Sequence, residues 1–154
     1  MAPAAEEIAV VREVVIAASP ETIWPFLVDP EKAVRWMGLD ARLDPRPGGR
    51  YRVEVLPGKV VIGEFIEVDP PRRLVHTWGW ADGAGSVPPG STTVAFDLIT
   101  RDDGTLLRVT HGRLPQAAAA SSHARGWDHY LPRLAAIARD VDPGIDPWIE
   151  RPDL

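Results

Sequence analysis

The feature that most constrains the fold of this chain is one change of hydrophobic period. From residue 40 to 113, apolar and polar residues alternate with a period of two, which is typical of strands that bury one face. From residue 116 to 140, apolar residues recur every three or four positions, which indicates one stripe on a helix. A sheet with one apolar face and a helix with one apolar stripe must cover each other. The sequence therefore predicts an α+β fold, an antiparallel sheet packed on one long C-terminal helix.

The strands are predicted from alternating or β-branched segments that end at turn residues. A first strand at 8–18 is followed, after residue 40, by four segments of period two and one more continuously apolar segment at 60–68. Short Gly- and Pro-containing connections predict hairpins, so successive strands pair as an antiparallel meander. The predicted hairpin turns are Pro47-Gly48-Gly49, Leu56-Pro57-Gly58 and Asp102-Asp103-Gly104.

The helices are predicted from capping residues and spacing. Ser19 is suited to cap a helix whose first turn contains Pro20 and Glu21. Asp29-Pro30 ends that helix, and a second short helix at about 30–36 carries Trp36. The long helix at about 116–140 presents one apolar stripe, made of Ala120, Ala124, Trp127, Leu131, Leu134 and Ala138.

Length and charge limit the possible classes of protein. The 154 residues predict one domain over 1–154, with a core at about 8–140 and an extended, acidic, Pro-rich tail at 141–154. The net charge is −5 and the arginines are interleaved with acids, so we expect no nucleic-acid partner. No apolar run is long enough to span a membrane. A cytoplasmic location is predicted, because the sequence has no cysteine and its first residues lack the features of a secretion signal.

Short motifs recur in a fixed order along the chain. The opening run 19–24, Ser-Pro-Glu-Thr-Ile-Trp, is followed by Asp29-Pro30-Glu31-Lys32 and Trp36. This opening resembles that of the START-like superfamily, often labelled SRPBCC. The later motifs are Gly48-Gly49, the run 70–78, Gly104-Thr105, Thr110-His111, and Gly126-Trp127 with Leu131 and Leu134. They resemble the branch that includes the C-terminal domain of the activator of the Hsp90 ATPase. The resemblance covers about residues 8–138.

This resemblance implies a helix-grip (Bet v 1-like) fold, in which a curved antiparallel sheet encloses a cavity with the C-terminal helix. Relatives include lipid carriers, polyketide cyclases, hormone receptors and co-chaperone domains, so the fold does not specify one function. The sequence has no counterpart of the separate N-terminal domain of the eukaryotic activators. We therefore expect this chain alone not to stimulate an Hsp90-type ATPase.

The candidate ligand site consists of apolar and aromatic residues on faces predicted to point inward. Trp24 and Trp127 are expected to anchor the core, whereas Trp36, Trp78 and Trp80 lie near element ends and are better placed beside a cavity. The complete candidate set is Trp36, Tyr51, Val53, Phe65, His76, Trp78, Trp80, Phe96, Leu107, His111, Trp127 and Leu131.

Two inward-facing histidines, His76 and His111, admit three interpretations. Each is a core histidine satisfied by a neighbour, a polar contact for a ligand, or a general base. No catalytic residue is predicted, because nothing in the sequence supplies an orienting partner for such a base. No metal or cofactor is predicted either: His123 and His129 are six residues apart and do not share a helix face, and phosphate-binding and nucleophile-elbow motifs are missing.

The sequence therefore favours a module that binds a small apolar or aromatic ligand. A domain that binds a chaperone and a cyclase- or aromatase-like enzyme remain alternatives, and a homodimer is possible. Gly126 interrupts the long helix, where glycine costs about 1 kcal/mol relative to alanine. This cost predicts a close approach of the helix backbone to the sheet at Gly126, so that Gly126→Leu would be destabilising.

Overall fold

Seven antiparallel strands form one curved sheet in the computed structural model, which describes residues 7–151. The strand order is β1-β7-β6-β5-β4-β3-β2, so β1 and β2 lie at the edges. Residues 1–6, on which the expectation of no secretion signal rests, and residues 152–154 of the tail lie outside the described residues. The strands are β1 (Ile8–Ile16), β2 (Asp40–Leu43), β3 (Arg50–Leu56), β4 (Lys59–Asp69), β5 (Arg73–Trp78), β6 (Thr92–Arg101) and β7 (Gly104–Leu114).

Three α-helices accompany this sheet in the described part of the chain, and the long one confirms the predicted helix-grip fold. They are α1 (Pro20–Val28), α2 (Pro30–Ala33) and α3 (Ala117–Ala138), with short 3₁₀ turns at Ala84–Ser86 and Pro147–Ile149. None of the helices in residues 7–151 combines the length and the apolar character that a membrane crossing requires.

The predicted turns and caps are confirmed. Hairpins join β2 to β3, β3 to β4 and β6 to β7, and β1 pairs with β7. The Ser19 hydroxyl accepts a hydrogen bond from the Thr22 amide at 3.2 Å, with Pro20 in the first turn of α1. Asp29 ends α1 and its carboxylate accepts from the Glu31 amide at the start of α2. These ends are short-range features, which explains why the sequence alone predicts them.

The core lies between the inner face of the sheet and α3. Antiparallel register places one row across five strands, through Phe65, His76, Val94, His111 and Val10, and all five side chains are buried. The predicted helix stripe faces this row and is buried apart from half-buried Ala124, and Trp24 is likewise only half-buried. Four side chains of α3 outside the predicted stripe are buried as well: Ala119, His123, Tyr130 and Ile137.

The prediction that Gly126 marks a close approach is wrong. A Cβ atom at Gly126 would meet no atom within 4 Å, so the helix borders open space there. Other glycines do mark close approaches, and Gly63 and Gly79 are two of them. A Cβ at Gly63 would collide with the Thr77 carbonyl, and one at Gly79 would collide with the Pro88 carbonyl.

The tail, which is predicted to be extended, contacts α3 through described residues after Val141. This segment folds back on α3, where the Trp148 ring stacks on His129 with centroids 3.8 Å apart. The buried Asp146 carboxylate contacts His129 Nε2 at 2.7 Å and accepts from the Trp148 amide at 2.9 Å. Arg133 on α3 donates to the carbonyls of residues 143 and 144. These contacts join residues distant in the sequence, so composition alone did not reveal them.

Candidate ligand-binding crevice

A narrow cavity of about 30 Å³ lies between α3 and the β5 end of the sheet, and we call it the inner cavity. Aromatic side chains dominate its wall, and Gly126 leaves one side of it open. The residues that line it are Met37, Val55, Trp78, Trp80, Ser122, His123, Gly126, Trp127 and Tyr130.

A wider space of about 290 Å³, the outer pocket, adjoins the inner cavity at the start of α3. The two spaces share Trp80, Ser122 and His123, so we treat them as one crevice with a narrow inner end. Lys59 and Gln116 add polar groups to the outer wall, and Lys59 pairs with Asp82 at 3.2 Å. The remaining lining residues of the outer pocket are Ala84, Gly85, Ala118 and Ala119.

The end of β5 and the loop after it place the two central indoles. Trp78 is the last residue of β5 and points inward by the strand alternation. Trp80 bridges to Val61, and its amide donates to the Val87 carbonyl at 2.7 Å. Gly79 permits the loop to cross there, as its close approach to Pro88 shows. The Trp78 and Trp80 rings consequently meet edge to face, with centroids 5.8 Å apart.

His111 is held neutral in a hydrogen-bond chain behind the inner cavity. Trp127 Nε1 donates to His111 Nδ1 at 3.1 Å, so the ring proton of His111 is on Nε2. His111 Nε2 therefore donates to the Thr92 hydroxyl at 2.9 Å, and that hydroxyl donates to the Trp78 carbonyl. Burial, with His123 and His76 nearby, keeps the pKa of His111 well below its ordinary value. Both ring nitrogens are used, which matches the interpretation of a satisfied core histidine.

His123 lies on the crevice and has the opposite tautomer. Its Nδ1 donates to the Ala119 carbonyl at 2.7 Å, and its Nε2 accepts from Trp80 Nε1 at 3.2 Å. Burial lowers the pKa of His123. The imidazole is therefore a neutral part of the wall that fixes the Trp80 ring.

His76 lies deeper, stacked on Tyr51 with ring centroids 3.7 Å apart. Its Nδ1 donates to the Thr77 carbonyl at 2.7 Å, and its Nε2 is buried without a partner in the structure. Burial lowers the pKa of His76 to about 4. The ring lines neither the inner cavity nor the outer pocket.

The twelve sequence-predicted site residues fall into three groups. Trp78, Trp80 and Trp127 line the crevice. Trp36, Tyr51, Val53 and Phe96 line a separate space of only about 10 Å³ near α1 and α2. The other five, which are buried in the core and line none of these three spaces, are Phe65, His76, Leu107, His111 and Leu131.

Sequence reasoning missed most of the α3 side of the crevice. Ala119, Ser122, Gly126 and Tyr130 follow one another at spacings of three or four, beside the predicted apolar stripe. Three of these four residues are small, and they lie beside the stripe that carries Trp127 and Leu131. Small residues at helical spacing were the available signal, because small side chains leave space.

No cluster of three or more potential metal ligands occurs among residues 7–151. His123 faces Trp80, whereas His129 faces the tail and Trp148, so the two histidines of α3 do point to different neighbours. Aromatic side chains make up most of the crevice wall at its inner end.

Comparison with known proteins identifies the family. Residues 17–139 match the family model described as activator of Hsp90 ATPase homolog 1-like protein. The chain belongs to this family. An AHSA1-like protein of Rhizobium etli is 45% identical, with 96% of this chain and 92% of that chain covered and a TM-score of 0.77.

Two further solved structures share the AHSA1-like fold with lower identity. CalU16 of Micromonospora echinospora is 26% identical, with 94% of this chain and 71% of that chain covered and a TM-score of 0.70. DynU16, a protein of the dynemicin biosynthetic locus, is 23% identical, with 90% and 50% covered and a TM-score of 0.75, which shows the fold alone. Among proteins with curated descriptions, none matches this chain.

Proposed function

We propose that this AHSA1-like protein binds a small molecule with an apolar or aromatic body in the crevice. The observation that carries the proposal is the open space beside Gly126, which extends inward to three indole rings. The outer pocket, at about 290 Å³, is close to the lower end of the roughly 300–1,000 Å³ of small-molecule sites. Such sites are mostly apolar with a few placed polar groups, and the crevice has this composition.

A cyclase- or aromatase-like reaction has weaker support. His76 and His111, the two candidate bases, line neither part of the crevice, and His111 uses both ring nitrogens. His123 does line the crevice, but its Nε2 accepts from Trp80 and its Nδ1 donates to Ala119. A binding role needs no free base, so it accounts for the described residues with fewer assumptions.

A chaperone partner is suggested by the family's name alone. The family match covers residues 17–139 and says nothing of which surface would contact a partner. The crevice, by contrast, is a concave apolar site of this chain, and for this reason we place the small-molecule function first.

The test is a titration with N-phenyl-1-naphthylamine, a neutral aromatic probe whose emission rises in apolar surroundings. We expect saturable binding to the wild-type protein. Ser122→Leu adds a larger side chain where the inner cavity and the outer pocket meet and should weaken binding by about tenfold or more, equivalent to about 1.4 kcal/mol. Ser121→Leu adds the same side chain on an exposed position of α3 outside the crevice, and should bind like the wild type.

Two results would contradict the proposal. One is the lack of saturable binding by a folded wild-type protein. The other is equal binding by wild type and Ser122→Leu, which would place the probe outside the crevice. Native mass spectrometry of freshly purified protein would complement the titration by detecting a small molecule that co-purifies.

A further inference from the structure

The crevice has one charged residue in its wall, Lys59, which lines the outer pocket. Among the described residues that line either space, no other carries a formal charge, since His123 Nε2 accepts from Trp80 and the imidazole is neutral. The other polar side chains of the outer wall are those of Gln116 and Ser122. The crevice is therefore cationic at its wide outer end and aromatic at its narrow inner end.

The alternation of β4 directs the Lys59 side chain to the inner face of the sheet. Lys59 is the first residue of β4 and lies two positions before Val61, whose side chain is fully buried in the core. Successive side chains of a strand point to opposite faces, so Lys59 shares the face of Val61, about 7 Å along the strand. Val61 bridges to Trp80, the indole that lines both spaces. The Lys59 side chain and the Trp80 ring therefore belong to the same side of the sheet and the same pocket.

The ion pair that Lys59 makes within the chain is an exposed one. Lys59 Nζ contacts Asp82 Oδ2 at 3.2 Å, and the two side chains are 47% and 53% exposed. A pair this exposed contributes little free energy and the lysine stem is flexible, so the ammonium can turn towards another anion at little cost. Asp82 is held in place, because its other carboxylate oxygen accepts from the Ala84 amide at 2.9 Å. An anion bound beside Lys59 would thus compete with a single, weakly paired carboxylate.

We propose that the ligand is an organic acid, whose carboxylate is bound by Lys59 and whose aromatic or alicyclic body lies in the outer pocket against Trp80. This inference rests on the proposed binding function and specifies its ligand. A neutral apolar ligand in the outer pocket would remove water from the Lys59 side chain without giving the ammonium a new partner. A carboxylate replaces that water with a charge-assisted hydrogen bond, so the acid is the better ligand.

The test compares two probes of nearly the same shape, 2-naphthoate and 2-naphthamide. At pH 7 the first carries one negative charge and the second is neutral. By isothermal titration calorimetry at low ionic strength we expect the wild-type protein to bind the acid about fivefold more tightly or better, the upper range for a partly exposed ion pair.

The chain provides a matched control, because its only other lysine, Lys32, lies on α2 outside the crevice. Lys59→Gln should bring the acid-to-amide affinity ratio close to one, whereas Lys59→Arg keeps the charge and should keep the preference. Lys32→Gln changes the net charge of the protein by the same amount and should leave the ratio unchanged. Lys59 is largely exposed, so its replacement does not disturb the core.

A second variant tests the competition with Asp82. Asp82→Asn removes the negative charge beside Lys59 and keeps an oxygen that can accept from the Ala84 amide. The acid-to-amide ratio should rise about twofold or more above that of the wild type. An unchanged or lower ratio would count against the site, because the ammonium would then not pass from Asp82 to the ligand.

The outcomes separate the two proposals. Equal binding of both probes by the wild-type protein would overturn the carboxylate site while the binding function stands. A preference for the acid that persists in Lys59→Gln would also overturn it, because another group would then hold the anion. Binding of neither probe by the folded wild-type protein would count against the binding function itself, and the inference would fall with it.

Discussion

The two buried histidines His76 and His111 differ in how many hydrogen bonds their ring nitrogens make. His111 accepts from Trp127 and donates to Thr92, so its removal leaves the Trp127 indole N–H buried without an acceptor. His76 makes one hydrogen bond, to the Thr77 carbonyl, and its other nitrogen is already unpartnered. The two residues occupy the same cross-strand row, yet they differ in what they stabilise.

We therefore predict that His111→Phe lowers the free energy of unfolding by about 1–3 kcal/mol, the cost of an unpaired buried polar group. His76→Phe should cost less, because phenylalanine keeps an aromatic ring against Tyr51 and removes an unpartnered nitrogen. Urea denaturation at pH 7 measures both variants. An equal loss in the two would show that the hydrogen bonds of His111 are not what distinguishes them.

At the scale of elements, α3 serves two purposes on adjacent stripes. One stripe, with Trp127, Leu131 and Leu134, packs on the sheet, and the neighbouring one, with Ser122 and Gly126, borders the crevice. The tail after α3 then folds back on the helix through Asp146 and Trp148. Small residues in the second stripe thus leave space beside the helix, while the packing of the first stripe on the sheet is kept.

Gly126→Ala is predicted to stabilise the protein by about 1 kcal/mol, because alanine is the better helix former and its Cβ meets no atom within 4 Å. For a chain of this size the melting temperature should rise by roughly 2–4 °C. The control is Gly79→Ala, where the Cβ collides with the Pro88 carbonyl and the melting temperature should fall. A lower melting temperature for Gly126→Ala would contradict this prediction, because it would indicate that other atoms do approach the helix backbone closely at Gly126.

At the scale of the whole molecule, the interior holds three histidines that stay neutral when buried. Burial lowers the pKa of His76 to about 4, from an ordinary value of 6.5, and also lowers the pKa of His111 and His123. In the unfolded chain each would bind a proton near pH 6.5. Between about pH 6.5 and 4 the unfolded state therefore binds more protons than the folded state.

Stability should accordingly fall as the pH falls through this window, because acid favours the state that binds more protons. From pH 7 to pH 5, His76 alone accounts for a loss of about 2 kcal/mol. Urea denaturation at the two pH values tests this, and His76→Phe should show a loss that is smaller by about that amount. The same pH dependence in His76→Phe and wild type would mean that His76 titrates normally in the folded state.

The amino-acid sequence by itself determined the order of the elements apart from the short strand β2, the caps and the family. Hydrophobic period, the cap at Ser19 and the Asp29-Pro30 helix end are local properties, set by backbone geometry within a few residues. The alternation in β5 to β7 also predicted which side chains face inward, including His76, Trp78 and His111. These features do not depend on which distant residue lies opposite.

Only the tertiary structure decided where inward-facing residues leave a space. Trp78 and His76 lie on the same strand face, yet Trp78 borders the crevice and His76 is packed against Tyr51. Gly126 indicated a close approach from its helical cost but borders open space, and the tail is tied to α3 by Asp146 and Trp148. A cavity is the volume left by side chains from separate elements, so its position depends on how those elements pack and not on the pattern within any one of them.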